Sequence, residues 1–519
     1  MQALSMQGAR QPAKQSDAPE RQARMNVLFI AVDDLKPDVG AYGDPYAVTP
    51  NLDRIAREGF TFRNCYVQQA VSGPTRASLL TGMRPDKTKV WDLQTNFRQV
   101  NPAAVSLPQH LKANGYLTVA RGKIFHMASI GPGHDAPSWS LPYVPVSAPT
   151  YALAPKGSRP ATECADVPDT AYFDGRLAGE GIKVLQKAAA SGQPFFAAIG
   201  FLKPHLPFVS PKKYWDLYDR SKFSLAQFRH KAEGSPDVAY HASGELKGYS
   251  DIPAFDSFSS DDKRYLDADR QRELIHGNYA AISYTDANIG KLLDELDRLH
   301  LADNTIVIVW GDHGWHLGDH GMWGKQTNFE NATHACMLMR VPGLGKGVQP
   351  ASLCEYVDVF PTLCELTATP TPAWLDGVSL VPAMKNPKAS VRDYAFSQYP
   401  RPGGVMGYTI RTARYRYTEW LPGGYTAEKP YVKGKNVGCE LYDYQQDPLE
   451  TRNLVGNKTY AQAQKMMEEL FVKAMEREHS QYEAYSARAD WQKRISTGIS
   501  EASKARRAEA ARKVRESQQ

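Results

Sequence analysis

Two carboxylates, Asp33 and Asp34, directly follow the apolar run NVLFIAV at residues 26–32. Asp312 and His313 follow a second such run, NTIVIVW at 304–310, one glycine further on. Adjacent carboxylates repel unless a cation holds them. Oxygen-rich donors from two separate segments suit a hard cation such as Ca2+ or Mg2+. His316 and His320 lie close by, and an Asp/His-rich loop can also take a transition metal; these two read instead as surface-loop histidines. Taken alone, an acidic pair after a strand is as readily a helix cap.

The stretch VSGPTRASLLTG at 71–82 places Ser72, Pro74 and Arg76 at the start of a helix. Pro74 suits a first turn, whose free N–H groups attract an anion, and Arg76 adds a fixed positive charge. A lone serine there is most often a cap. Lys123 and His126 in RGKIFH, His205 in FLKPHLPF and Lys325 in MWGKQTNFE complete the set of reactive types. Each is weak alone. Together they form the inventory for transferring a dianionic group, with a metal to activate a nucleophile, cations to neutralise oxygens and histidines to move protons.

Buried strands must present these residues. The runs at 26–32 and 304–310, with YLTVARG and PFFAAIG (194–200), are apolar and β-branched, as strands buried on both faces are. Helices alternate with them. One starts at Thr49–Pro50 and stops at Gly59, one spans 106–116, and a long one spans 272–300 with Ile282, Ile289, Leu292, Leu293 and Leu296 along its apolar side. The expected fold is α/β, with a mixed, mostly parallel central sheet sandwiched by helices. From about residue 385 the texture becomes aromatic and alternating, as in 406–420, which predicts a smaller α+β unit with an antiparallel sheet. The expected organisation is a disordered leader at 1–24, a catalytic unit at 25–385, the antiparallel-sheet unit at 386–457 and a charged helical tail at 458–519. Residues 130–170 and 220–262 read as long surface loops.

The chain has 519 residues, 42% hydrophobic and 23% charged, and a formal charge of +6, part of it in the basic C-terminal stretch. These values describe a soluble globular protein and give no reason to expect nucleic-acid binding. No stretch approaches the roughly 18–20 apolar residues of a membrane span. The six cysteines form no CxxC pair, hence neither a zinc site nor a clear disulfide framework.

The ordered set VDD, SGPTRASLLTG, GK..H, KPH, GDHG and GK resembles the type I sulfatase pattern over residues 25 to about 455. VDDLKPDVGAYGD, QQAVSGPTRASLLTGMRPD, GDHGWHLGDHGMWGK and NFENATH are most similar to its iduronate-2-sulfatase branch. The resemblance implies an alkaline-phosphatase-like fold and a sulfuric ester hydrolase. It implies that residue 72, here serine, is oxidised by a sulfatase-maturing enzyme to formylglycine, whose hydrate attacks sulfur with one hydroxyl and expels sulfate with the other. It implies one Ca2+ held by Asp33, Asp34, Asp312, His313 and the modified Ser72. Asp312 would take a proton from the nucleophile, Arg76 and Lys123 would steady it, Lys325 and His205 would hold the sulfate, His205 would protonate the leaving sugar oxygen, and His126 would trigger sulfate release. The implied substrate is a sulfated polysaccharide or oligosaccharide: a 2-sulfated uronate of glycosaminoglycan or ulvan, or a galactan such as carrageenan. Trp91, Asn96, Arg98 and Trp315 are the candidate sugar contacts, and a periplasmic or secreted location is expected. The rival readings are a phosphatase, phosphodiesterase or phosphonate hydrolase of the same superfamily, commonly with two zinc ions, and a non-catalytic binder of sulfated glycan with Ser72 unmodified.

Overall fold

A computed structural model describes residues 24–131, 133–259 and 263–487, together with 501 and 504. The leader at 1–23 and the basic stretch after 487, those two positions aside, lie outside the described residues.

A six-stranded sheet organises the chain, in the order Phe60–Thr61, Met337–Arg340, Thr305–Gly311, Asn26–Val32, Phe195–Phe201, Leu117–Gly122. The last four strands are mutually parallel, and Met337–Arg340 runs antiparallel to Thr305–Gly311. Asn26–Val32 is buried along its whole length because alternate side chains enter two different cores. Val27, Phe29 and Ala31 join Leu79, Leu80, Leu107 and Phe360 on one face. Leu28, Ile30 and Val32 join Leu177, Ile282, Ile289 and Leu292 on the other. The sheet is therefore mixed, mostly parallel and covered by helices on both sides.

Register then decides what lies at the sheet's carboxyl edge. Val32 pairs with Gly311 and with Phe201. Asp33, Asp312 and Leu202 consequently leave the sheet side by side, where ligands of parallel α/β sheets collect. Gly311 permits the exit: a Cβ there would lie 1.9 Å from the Leu35 carbonyl oxygen.

The helix Pro50–Glu58 begins and ends as the sequence predicts, yet Thr49 does not cap it with its side chain. The cap comes from the long helix Ala268–Arg298, whose Asp286 carboxylate accepts from Asn51 N at 3.1 Å and Leu52 N at 2.7 Å. That long helix also starts earlier than its apolar stripe, at Ala268, because Asp267 accepts from Arg270 N at 2.9 Å. The run 406–420 is a hairpin of two strands, Val405–Arg411 and Tyr415–Leu421, folded back where Thr412 Oγ1 accepts from Tyr415 N. It belongs to a four-stranded antiparallel sheet completed by Ala395–Arg401 and Cys439–Asp443. The helix Ala461–Ser486 buries Met467, Phe471, Ala474 and Met475 against this sheet. Its Glu478 reaches Arg84 at 3.0 Å, so the charged stretch opens as a packed element.

Asp286→Ala removes the acceptor for two helix-start N–H groups and is expected to lower stability by about 2 kcal/mol. A shift of the urea midpoint measures this.

Candidate active site

Ser72 is the first helical residue of Ser72–Thr81, with Val71 in the N-cap position, so it caps nothing. Its Oγ lies 3.2 Å from Asp33 Oδ1 and 3.3 Å from His313 Nε2. Gly73 lets the helix start approach its neighbour: a Cβ there would lie 2.5 Å from the Asp92 carbonyl oxygen. One turn on, Arg76 is completely buried. Its Nη2 donates to Asp33 Oδ1 at 3.0 Å, its Nε to Asp312 Oδ2 at 2.8 Å, and its Nη1 to the carbonyls of Lys123 and Ile124.

The structure brings together all four carboxylate and imidazole groups singled out as metal ligands. Asp34, Asp312 and His313 offer ligand atoms within 4.8 Å of one another, and so do Asp33, Asp34 and His205. Asp34 holds a left-handed backbone (φ 59°), a conformation open to aspartate, and its N–H donates to Asp312 Oδ1 at 2.9 Å. Burial disfavours the charged forms of Asp33 and Asp312. Lys123, His205 and Arg76 around Asp33, and Arg76 and His313 around Asp312, nevertheless hold both carboxyls below the usual range. Three buried carboxylates with one imidazole form an oxygen-dominated donor set that fits a hard cation.

Lysines frame this cluster. Lys123 Nζ lies 2.5 Å from Asp33 Oδ2. Lys325 Nζ lies 3.0 Å from Asp34 Oδ2 and 2.9 Å from Glu245 Oε2. Burial opposes the Lys325 charge, but Asp34 and Glu245 outweigh it and raise its pKa. His205 Nε2 is 3.2 Å from Glu245 Oε1. His126 donates from Nδ1 to the Leu93 carbonyl at 3.0 Å; burial and the Lys123 charge push its pKa down to about 4, which keeps the ring neutral. A cleft of about 500 Å³ opens here, lined by Asp33, Lys123, His126 and His205 together with Tyr172, Tyr249 and the exposed Arg159.

The four candidate sugar contacts are placed otherwise. Trp315 is 1% exposed and serves as a platform for Lys325 Nζ, 4.5 Å from its ring. Arg98 is bound to Asp135 through two 2.8 Å hydrogen bonds, and Asn96 caps the following turn by accepting from Arg98 N. Trp91 is half-buried and donates to Asp86 Oδ1 at 2.8 Å. Their segment lies against the site nonetheless, since Asp92 packs on Gly73 and Leu93 anchors His126. His316 and His320 are not surface residues. Both are buried, His316 bonded to Thr327 Oγ1 at 2.9 Å and His320 stacked on Phe329.

Two residues that no motif marks come from the long loops. Glu245 is one. The other is His134, whose Nε2 accepts from Ile124 N and Phe125 N at 3.2 Å each and so fixes the loop behind Lys123. Burial, with the Arg76 charge, pushes its pKa down to about 4.

This geometry places an aspartate–histidine group that could hold a metal ion, ringed by basic side chains, at the edge of an alkaline-phosphatase-like α/β scaffold. The chain matches the sulfatase family over residues 25–369, and the C-terminal part of the N-sulphoglucosamine sulphohydrolase family over 318–477. It is 33% identical to human iduronate 2-sulfatase, the alignment covering 83% of this chain and 91% of that protein. Among solved structures, BT4656 in complex with its substrate D-glucosamine-2-N,6-O-disulfate superposes with a TM-score of 0.70 at 22% identity, covering 88% of this chain and 98% of that one. The phosphonate monoester hydrolase of Agrobacterium radiobacter has the same TM-score of 0.70 at 23% identity, over 88% and 96% of the two chains. The chain belongs to the sulfatase family. It is a sulfuric ester hydrolase.

Stripping metal with a chelator is expected to lower the thermal midpoint by a few degrees and Ca2+ to restore it, as for any ligand bound only by the folded state; Asp34→Asn should abolish the restoration. The folded-state pKa of His134 lies below its unfolded value. The stability it contributes is therefore full above about pH 6.5 and is lost as pH falls toward 4, by on the order of 2 kcal/mol. Urea unfolding should show the advantage of the wild type over His134→Gln shrinking across that window.

Proposed function

We propose that this chain hydrolyses sulfate esters of a sulfated polysaccharide or oligosaccharide, with 2-sulfated uronate as the first candidate, and that residue 72 works as formylglycine. The carrying observation is that Ser72 Oγ lies within 3.3 Å of both Asp33 and His313, with Arg76 and Lys123 bonded to Asp33 and Lys325 to the adjacent Asp34. The likeness to iduronate 2-sulfatase supports the sugar class.

Asp33, Asp34, Asp312 and His313 are the ligands proposed for one Ca2+, which when bound supplies positive charge that acidifies a hydroxyl beside it. Oxidation of residue 72 to the aldehyde, followed by addition of water, would place two hydroxyls on its reactive carbon, and with them a route for releasing sulfate without a stable ester. The remaining work is assigned to this chain's own side chains. Arg76 holds Asp33 and Asp312 at a fixed separation, and Asp312 stands ready to accept the nucleophile's proton. Lys123 steadies the oxygen at residue 72, while Lys325 and His205 hold the sulfuryl oxygens. His205 faces the cleft, where it can hand a proton to the departing sugar oxygen. His126, neutral and with Nδ1 committed to Leu93, keeps Nε2 free to accept the proton that triggers sulfate release. Arg159 and Tyr249, its cation–π partner at 5.5 Å, line the same cleft and are the groups proposed to meet the carboxylate of a uronate ring.

Coexpression with a maturing enzyme should reduce the mass of the Ser72 peptide by about 2 Da, the loss of two hydrogens. The matured protein, or a matured Ser72→Cys variant, is expected to release free sulfate from a panel of sulfated oligosaccharides, and Ser72→Ala to release none. Silence on every sugar, with turnover of phosphodiesters instead, overturns the assignment.

A further inference from the structure

Glu245 belongs to none of the motifs that carry the family resemblance, yet its carboxylate touches both groups proposed to hold sulfuryl oxygens. Oε1 lies 3.2 Å from His205 Nε2 and 3.2 Å from Lys325 Nζ, and Oε2 lies 2.9 Å from Lys325 Nζ. The loop that delivers it is tied down beside Lys325. Ser243, two residues before Glu245, has a left-handed backbone (φ 56°) and accepts from Trp323 N at 3.0 Å, two residues before Lys325. Ser257 Oγ donates to the same Ser243 hydroxyl at 3.0 Å. The Glu245 side chain keeps a quarter of its surface exposed, so it stands at the open side of the pair.

The fixed charges show what this carboxylate does. Asp33, Asp34, Asp312 and Glu245 face Arg76, Lys123 and Lys325 in one connected cluster. With a divalent cation on the three aspartates, these fixed charges sum to one positive charge, and His205, 3.2 Å from Glu245, adds another while it holds the proton it donates. Without Glu245 either sum rises by one. A sulfate monoester has one negative charge. Inorganic sulfate has two, and a phosphate monoester has nearly two at neutral pH.

We propose that Glu245 is a specificity-determining charge filter, which lowers the positive charge of the pocket by one unit and so disfavours dianions, namely phosphate monoesters and the sulfate product itself, relative to a monoanionic ester. This rests on the sulfuryl-pocket reading above. Like charges about 5 Å apart at an effective dielectric near 20 change an equilibrium by on the order of a hundredfold. Screening at a partly exposed site brings this to about tenfold per charge. Removing the carboxylate also frees hydrogen-bond donors on Lys325 and His205, a contact gain common to both probes, so the ratio between dianion and monoanion reads the change in charge.

Calorimetric titration of the full chain in Ca2+-containing buffer, with residue 72 left as serine, needs no turnover. The probes are inorganic sulfate and methyl sulfate. Glu245→Gln is expected to raise the affinity for sulfate relative to methyl sulfate by about tenfold, while Glu245→Asp, which keeps the charge, leaves the ratio near that of the wild type. Thermal melts establish that both variants fold. Equal tightening of both anions, weakening of both, or binding of neither by wild type and variant alike overturns the proposal. The functional reading fails on a different measurement, the absence of sulfate release by matured protein.

Discussion

Arg76 joins what the fold otherwise keeps apart. Its guanidinium is fully buried and bonds to Asp33 behind one strand, to Asp312 behind the next and to two carbonyls of the Lys123 loop, while stacking 5.4 Å from the Trp310 ring. A planar fork with several fixed donors can serve all these acceptors at once, whereas a lysine ammonium is a point charge on a flexible stem. Burial alone would penalise this cation severely. Asp312 and Asp33 reverse that and raise its pKa. The dependence runs both ways, since removing either partner would leave an uncompensated charge in the interior. The helix Ser72–Thr81 is positioned by the same contact, because Ser72 lies one turn before Arg76 and inherits its distance from Asp33.

The carboxylates outnumber what one arginine can balance, and this excess organises the rest of the site. Lys123 approaches Asp33 from one side and Lys325 approaches Asp34 from the other, and Lys325 in turn is braced by the Trp315 ring and by Glu245. The sheet makes such crowding possible. Parallel strands in register end at one edge, so residues hundreds of positions apart emerge within hydrogen-bonding distance. The negative charge is balanced in part by Arg76, Lys123 and Lys325, and the same crowding leaves Asp34, Asp312 and His313 grouped closely enough to hold a metal ion.

Much of this was legible in the sequence, for identifiable reasons. Continuous apolar runs such as NVLFIAV can be little other than strands buried on both faces, and reactive residues directly behind them must share an edge. The mixed sheet with helices on both faces and the antiparallel C-terminal sheet follow from that pattern. Side-chain roles set by distant partners were not legible. Thr49 has the right type for a cap, but Asp286 from a remote helix performs the task. Trp315 and Arg98 have the right types to meet a sugar, yet the first is sealed beneath Lys325 and the second is bound to Asp135. His316 and His320 sit among polar loop residues and still fold inward. Glu245 and His134 come from segments with no periodicity at all, where only the three-dimensional path shows which side chain reaches the site.

That division carries a functional consequence. The sheet edge supplies the reactive groups, and a scaffold of the same shape also serves a phosphonate monoester hydrolase, so the edge alone does not determine which anion is processed. Selection must come from groups added around it. The long connections provide these: one brings Arg159 and Tyr172 to the cleft, and another brings Tyr249 to the cleft and Glu245 to Lys325 and His205. Because the edge is already highly charged, one further charge at its rim changes the balance by a whole unit, and a short loop helix is enough to place it. Discrimination between esters of similar shape but different charge therefore requires no change in the sheet, the helix Ser72–Thr81 or the aspartate cluster.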